Sequence, residues 1–260
     1  MRRRLRAGAV IAAAAAATAL AGCGGDGASA GDGAVRVSAA ASLRTAFTEL
    51  GAALARDGGA APAFSFAGSD VLAAQIRQGA RPDVYAAADE ALPSDLHRRG
   101  LLDPPRVFAT NELVAAVPAE RRDLRSLADL GRAGVTIAVG APAVPVGAYT
   151  HTVLAHLPAA ERSALQRNVR STEPDVGGIV GKLTEGAVDA GFVYRSDVRA
   201  SAGTLRAIPL PRAARPVIRY AAGVVRGAPR RAAAQRFLDA LTGPAGRRAL
   251  RAAGFGVPAR

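Results

Sequence analysis

Residues 35–47 read VRVSAAASLRTAF. The first six form a short, mostly apolar run of strand length. From Ser42 the pattern turns helical, with Leu43, Phe47, Leu50 and Leu54 on a single stripe. A strand that passes through a few small residues into a helix is the repeating unit of an α/β fold. The Ser42 hydroxyl stands where that helix begins. Helix N-termini present unpaired N–H groups and the positive end of the dipole, and so they hold anions. Serine before a helix is also an ordinary cap, so the residue gains meaning only from its counterparts along the chain.

The unit recurs. AFSFA (63–67) is a strand before the helix SDVLAAQIRQG, with Ser69 as its N-cap and Gly79 just past its end. DVYAAA (83–88) is a strand, and DEALPSDLHRRG a helical stretch interrupted at Pro93. ELVAAV (112–117) and VTIAV (135–139) are strands around the short helix SLADLG, and GAPAVPVGAY is a loop opening the helix YTHTVLAHL. EPDVGGIVGKLTEG puts Pro174 near the first helical position and Val176, Ile179, Val180 and Leu183 on an apolar face. AGFVY (190–194) and IRYAAGVV (218–225) are strands, and two helices close the chain. Ligands of such sheets sit outside the carboxyl ends of the strands. Ser42, Ser69, Pro145–Gly147, Pro174–Val176 and Tyr194 all fall at such ends.

The N-terminus stands apart from this pattern. MRRRLRAGAV is basic, VIAAAAAATAL is apolar, and LAGC ends at Cys23, the one cysteine of the 260 residues. Small residues just before a cysteine, after that charge pattern, define a lipoprotein signal peptide over residues 1–22. Lipidation at Cys23 then implies export and anchoring on the outer face of the cytoplasmic membrane. Residues 23–34, with GGDGASAGDGA, read as a flexible tether. A lone cysteine leaves no intramolecular disulfide.

Net charge is +13, and residues 1–22 carry four arginines and no acid, which leaves +9 on the remainder. The arginines are scattered, with no basic stripe and no interleaved aromatics, so a nucleic-acid partner is not expected. A positive field favours the arrival of an anionic ligand. His97, His151 and His156 lie apart, and no metal cluster or nucleophile–base spacing is present. An enzyme is therefore not expected, and neither is a cofactor.

From Val35 onward the chain resembles the molybdate-binding proteins of ABC importers. AAASL (39–43) is similar to that family's first anion loop and FAGSDVLAAQI (66–76) to its second. VGAPAVPVGAY (139–149) is similar to the loop of the second lobe, and EPDVGGIV (173–180) and GFVYRSDV (191–198) to the last two anion-contacting segments. Five weak motifs in the family's order, behind a lipoprotein signal, make a strong match together. The resemblance implies an α/β, two-lobed periplasmic-binding-protein fold (type II). Each lobe would be a mixed, mostly parallel sheet flanked by helices, with the ligand in the cleft between them. It implies that Ser42 and Ser69 donate from the first lobe, Val146 and Val176 through backbone N–H groups, and Tyr194 through its phenol. Molybdate or tungstate is then the ligand and an ABC permease and ATPase the partners of a monomer. Lobe 1 would hold residues 35–110 and 221–260, and lobe 2 residues 111–220.

This chain departs from the family at Val146, where alanine is common, and at Asp70, where a small hydroxyl residue is common. A carboxylate beside an anion ligand repels it, so Asp70 is expected to face solvent on the helix's first turn, where acids are favourable. Neutral donors spread compensation of a dianion over many bonds, each about 1.5–3 kcal/mol to a charged group. A site of donors only suits a fully deprotonated oxyanion; phosphate keeps a proton at neutral pH and needs an acceptor. Sulfate carries no proton but is smaller and leaves donors unpaired. Another oxyanion receptor, or the effector domain of a regulator, shares the architecture. The export signal and the lack of a DNA-binding helical unit disfavour the regulator.

Overall fold

The computed structural model describes residues 33–258. The signal peptide, Cys23 and all but the last two residues of the tether lie outside them. β1 (Arg36–Ala40) leads through one 3-10 turn (Ala41–Leu43) into α1 (Arg44–Arg56), followed by β2 (Ala63–Ala67), α2 (Ser69–Arg77), β3 (Val84–Ala87) and α3 (Ala91–Arg98). β4 (Arg106–Asn111) and β5 (Leu113–Pro118) are separated by Glu112 alone. Next come α4 (Leu127–Leu130), β6 (Ile137–Gly140), α5 (Pro145–Ala155), α6 (Ala159–Arg167), β7 (Val169–Glu173) and α7 (Val176–Thr184). β8 (Ala190–Tyr194), α8 (Arg195–Ala200), β9 (Leu205–Pro209), β10 (Ile218–Val224), α9 (Arg231–Thr242) and α10 (Pro244–Ala252) complete the fold.

The strands form two five-stranded sheets, in the orders β2-β1-β3-β10-β4 and β7-β6-β8-β5-β9. In the first, β1 pairs parallel with β2 and β3, while β10 runs antiparallel to β3 and β4. In the second, β6 pairs parallel with β7 and β8, and β5 runs antiparallel to β8 and β9. Four strands of each sheet thus point one way and the fourth in order is reversed. The sheets are mixed and the fold is an α/β fold of two lobes. The two lobes are topological copies: β1, β2 and β3 correspond to β6, β7 and β8. Each reversed strand follows the chain's passage from the other sheet, at Glu112 and between Pro209 and Ile218.

Burial explains the elements. Every residue of β3, β5 and β8 is buried, which is why their sequences are continuous apolar runs rather than alternating ones. In the first lobe Phe47 of α1 packs edge-on against Phe237 of α9, ring centroids 5.6 Å apart, and tilted against Phe64 and Phe108. Such aromatic pairs add about 0.5–1.5 kcal/mol each beyond their buried area.

Five sequence expectations are corrected. Gly68, not Ser69, caps α2, and Ser69 is its first helical residue. Pro93 does not interrupt α3; it sits in the first turn, where its missing N–H costs no helical bond. α5 begins at Pro145 rather than Tyr149, since proline at the first position starts a helix readily. Pro174 lies outside α7, whose N-cap is Asp175. Ser42 lies in the 3-10 turn ahead of α1. The structure also adds β4, β7 and β9, each at a sheet edge, and α6 and α8. Edge strands carry polar residues on their open side, as VRSTE in β7 does, and so give a weak apolar signal.

Candidate functional site

The residues that follow β1, β2 and β3 in one lobe face those that follow β6, β7 and β8 in the other. Between them lies a cavity lined by Ser42, Ser69, Val146, Val176 and Tyr194 together, with small residues such as Ala41, Gly68 and Ala88 filling in. All five residues singled out in the sequence therefore meet in one place. The cavity is small, about 230 Å³ counted with its open mouth. No lysine, arginine or histidine is among the described residues that line it.

Each donor is set by its local structure. Ser69 is 1% exposed. Its Oγ accepts the N–H of Ala88 at 3.1 Å, and its carbonyl accepts the Tyr85 hydroxyl at 2.7 Å. With a lone pair occupied from within, the Ser69 proton remains for the cavity. Ser42 is buried, its Oγ 3.0 Å from the Tyr220 hydroxyl. Val146 and Val176 occupy the second and first positions of α5 and α7, where N–H groups have no intrahelical partner. The Val146 side chain packs over Gly140, so near that a Cβ there would lie 2.6 Å from its Cγ1. The departure from alanine at Val146 thus fills space behind the donor.

Tyr194 ends β8 with 1% exposure, and its hydroxyl is buried without a hydrogen-bond partner among the described residues. Burial pushes the phenol well above its ordinary pKa, and the neighbouring Tyr220, Tyr149, Asp197 and Asp89 push the same way. It stays a proton donor. Its main chain is fixed by Asp197, whose Oδ2 accepts the Tyr194 N–H at 2.8 Å. A buried phenolic donor aimed at a cavity with no acceptor of its own fits an incoming anion.

Two carboxylates qualify this picture. Asp175 lines the cavity, but its Oδ1 accepts the N–H of Gly178 at 3.1 Å and so is spent on capping α7. Asp70 was expected to face solvent. It is instead half-buried, and its Oδ1 is buried without a hydrogen-bond partner among the described residues. The cause is the cap: with Gly68 as N-cap, Asp70 becomes the second helical residue and turns back over Gly68. It is not among the cavity-lining residues. Gly68 itself is where the lobes meet, since a Cβ there would lie 2.6 Å from the carbonyl oxygen of Pro174.

The sequence does not point to Tyr220, whose hydroxyl lies beside Ser42, or to Asn111, which bonds to Tyr220 in turn. Tyr220 reads as a strand residue and Asn111 as a lobe boundary ahead of a strand, and nothing in their spacing ties them to Ser42. Asp175 carried a usable signal, an acid just before an apolar helical run.

Two topologically matched lobes, with a small donor-lined cavity between their strand ends, make up a receptor for a small solute. Residues 35–256 match the family described as bacterial extracellular solute-binding protein. The chain is 37% identical over 235 residues to the molybdate-binding protein ModA of Mycobacterium tuberculosis, covering 89% of this chain and 88% of that one. It is 29% identical over 243 residues to the molybdate-binding protein ModA of Escherichia coli, 88% of this chain and 91% of that one. Among solved structures it is similar to the periplasmic molybdate-binding protein of Azotobacter vinelandii, with a TM-score of 0.77 and 26% identity over 86% of this chain and 100% of that one. The chain belongs to the bacterial extracellular solute-binding proteins and, within them, to the ModA family. That family works outside the cytoplasm and consists of binding proteins rather than enzymes.

Proposed function

We propose that this protein captures molybdate, and tungstate equally, in the cavity between its lobes and delivers it to the permease and ATPase of an ABC importer. Ser42, Ser69 and Tyr194 donate through hydroxyls and Val146 and Val176 through main-chain N–H groups. The observation that carries the reading is the unpaired, buried Tyr194 hydroxyl opposite two serines, of which Ser69 already accepts from within. A cavity of outward donors with no cation rewards a dianion that carries no proton. The family relationship supports the same ligand. The protein acts as a monomer held by a lipid on Cys23, with lobe limits at Glu112 and within residues 210–217, ahead of β10, and closure about these two crossings between sheets. A leash of residues 23–34 leaves the binding domain free to reach the permease.

Calorimetric titration of the mature protein at neutral pH against molybdate, tungstate, sulfate and phosphate tests the ligand. Molybdate and tungstate should bind tightly and alike, with sulfate and phosphate far weaker. Tight sulfate binding, or no heat with molybdate, overturns the reading. Metabolic labelling with a fatty acid tests the anchor; label should appear on the wild type and vanish in Cys23→Ser.

A further inference from the structure

The bond between Ser42 Oγ and Tyr220 Oη, 3.0 Å long and buried, does not by itself say which hydroxyl donates. A third residue decides it. Asn111 Nδ2 lies 3.3 Å from the same Tyr220 oxygen and 2.9 Å from Ser196 Oγ. The amide is held in that orientation, because Asn111 Oδ1 accepts the N–H of Glu112 at 2.9 Å; turned over, it would set donor against donor. Nδ2 has two hydrogens and two acceptors, so Tyr220 accepts from Asn111. Among the described residues Ser42 is the other hydrogen-bond partner of that phenol oxygen. If Tyr220 accepted from Ser42 as well, its own proton would be buried without a partner, which is costly. Tyr220 therefore donates to Ser42, and the Ser42 proton points into the cavity.

We infer that Asn111 and Tyr220 are positioning residues that hold Ser42 as an outward hydrogen-bond donor and thereby discriminate against oxyanions that carry a proton. The inference rests on the reading of the cavity as an oxyanion site. The surroundings suit it. The Tyr220 ring is fully buried, edge-on to Tyr194 at 5.9 Å and to Phe255 at 5.3 Å, so the phenol cannot swing away. Burial, followed by the charge of Asp197, pushes its pKa well above the ordinary value, which keeps its proton available. Asn111 ends β4 and Tyr220 lies in β10, the two strands beside the passages between lobes. The chain of bonds therefore starts at the crossover and ends at the anion.

Titration of the wild type, Tyr220→Phe and Asn111→Asp with molybdate and with inorganic phosphate at pH 7 tests this. Tyr220→Phe removes one oxygen from a filled core and should fold. It frees the Ser42 hydroxyl to turn, so molybdate should weaken by about tenfold and the molybdate-to-phosphate preference should fall with it. In Asn111→Asp the carboxylate accepts a hydrogen bond from the Tyr220 hydroxyl and so reverses the chain. Ser42 then shows phosphate a lone pair, and the preference should fall further, by about a hundredfold. The added charge penalises molybdate more than partly monoanionic phosphate, so sulfate, a dianion without a proton, is titrated as the control: the molybdate-to-phosphate ratio should fall while the molybdate-to-sulfate ratio holds, which a purely structural role would not produce. If the wild type binds molybdate and Tyr220→Phe keeps both affinity and preference, the inference fails alone. A preference retained by Asn111→Asp overturns it equally. A wild type that binds neither anion overturns the proposed function and this inference with it.

Discussion

The two lobes solve one problem twice, on matched loops, with different chemistry. After β1 and β2 the first lobe offers serine hydroxyls; after β6 and β7 the second offers main-chain N–H groups at the starts of α5 and α7. Where β3 is followed by the small Ala88, its counterpart β8 ends in Tyr194. A hydroxyl rotates, so each serine needs a second group to aim it: Tyr220 for Ser42 and the Ala88 N–H for Ser69. A helix N–H is aimed by the helix, so it tolerates any side chain the surrounding packing accepts. The first lobe should therefore be fragile to single side-chain changes at the site, and the second, Tyr194 apart, to changes that move its backbone.

The largest effect expected concerns the support of the second lobe. Asp197 holds the Tyr194 main chain, and burial, with Asp175 adding repulsion, pushes it up to about 7. Unfolded, it titrates near 3.8. Below that value both states are protonated and the stability is fully present. As pH rises from about 4 through 7, the unfolded state loses its proton first, and stability falls. The loss is on the order of 4 kcal/mol at about 1.4 kcal/mol per unit. Asp197→Asn keeps an oxygen to accept the Tyr194 N–H and removes the titration. Chemical denaturation without anion, at pH 4 and pH 7, should show the variant gaining on the wild type by that amount. Parallel behaviour of the two proteins would mean Asp197 is not held protonated.

Gly68 tests the contact between lobes. Its φ of −57° suits any residue, so glycine is there for space. A methyl group would strike the Pro174 carbonyl oxygen across the cleft. Gly68→Ala should cost about a hundredfold in molybdate affinity, about 2.7 kcal/mol, with little change in the melting temperature without anion. Wild-type affinity in this variant would show that closure does not use the Gly68–Pro174 approach.

Ser69→Ala should cost about 1.5–3 kcal/mol of binding, the worth of a bond to a charged group. It also strands the Ala88 N–H, which lowers stability without anion by about 1–3 kcal/mol. The paired loss marks the first lobe's dependence on aimed hydroxyls. A variant that lost stability alone would make Ser69 a structural bond and nothing more.

These outcomes bear on what the sequence can carry. The βα rhythm and the strand ends that carry the cavity residues are legible because each is written in its own neighbourhood; which residues at those ends donate came from the family resemblance. Helix starts were legible only to within a few residues, and that error mattered once. Moving the cap from Ser69 to Gly68 turned Asp70 from the solvent toward the lobe contact. The side chains behind Ser42, Tyr220 in contact with it and Asn111 bonded to Tyr220, were not legible at all. Ser42 and Tyr220 are 178 residues apart, and Asn111 and Tyr220 109, so only the assembled sheets bring them together. The edge strands β4, β7 and β9 escaped because their open faces dilute the apolar pattern.

Val146→Ala should have the smallest effect and is the sharpest test of the second lobe's principle. The substitution leaves the α5 N–H where it is, because proline at 145 and the packing of Gly147 fix the first turn. A Cβ on Gly147 would lie only 2.5 Å from the Gly140 carbonyl oxygen. What it removes is two methyl groups from a side chain that is 3% exposed and pressed over Gly140. Stability should fall by about 1–2 kcal/mol, at about 0.8 kcal/mol per buried carbon plus a small cavity term. Affinity for molybdate should stay within about twofold, less than 0.5 kcal/mol. Ser69→Ala and Val146→Ala are then matched losses of buried side chains on opposite sides of one cavity. If donation is from the hydroxyl at Ser69 and from the main chain at Val146, both variants lower the melting temperature and only the first lowers affinity. A tenfold loss of affinity in Val146→Ala would mean that its side chain, not its N–H, shapes the site.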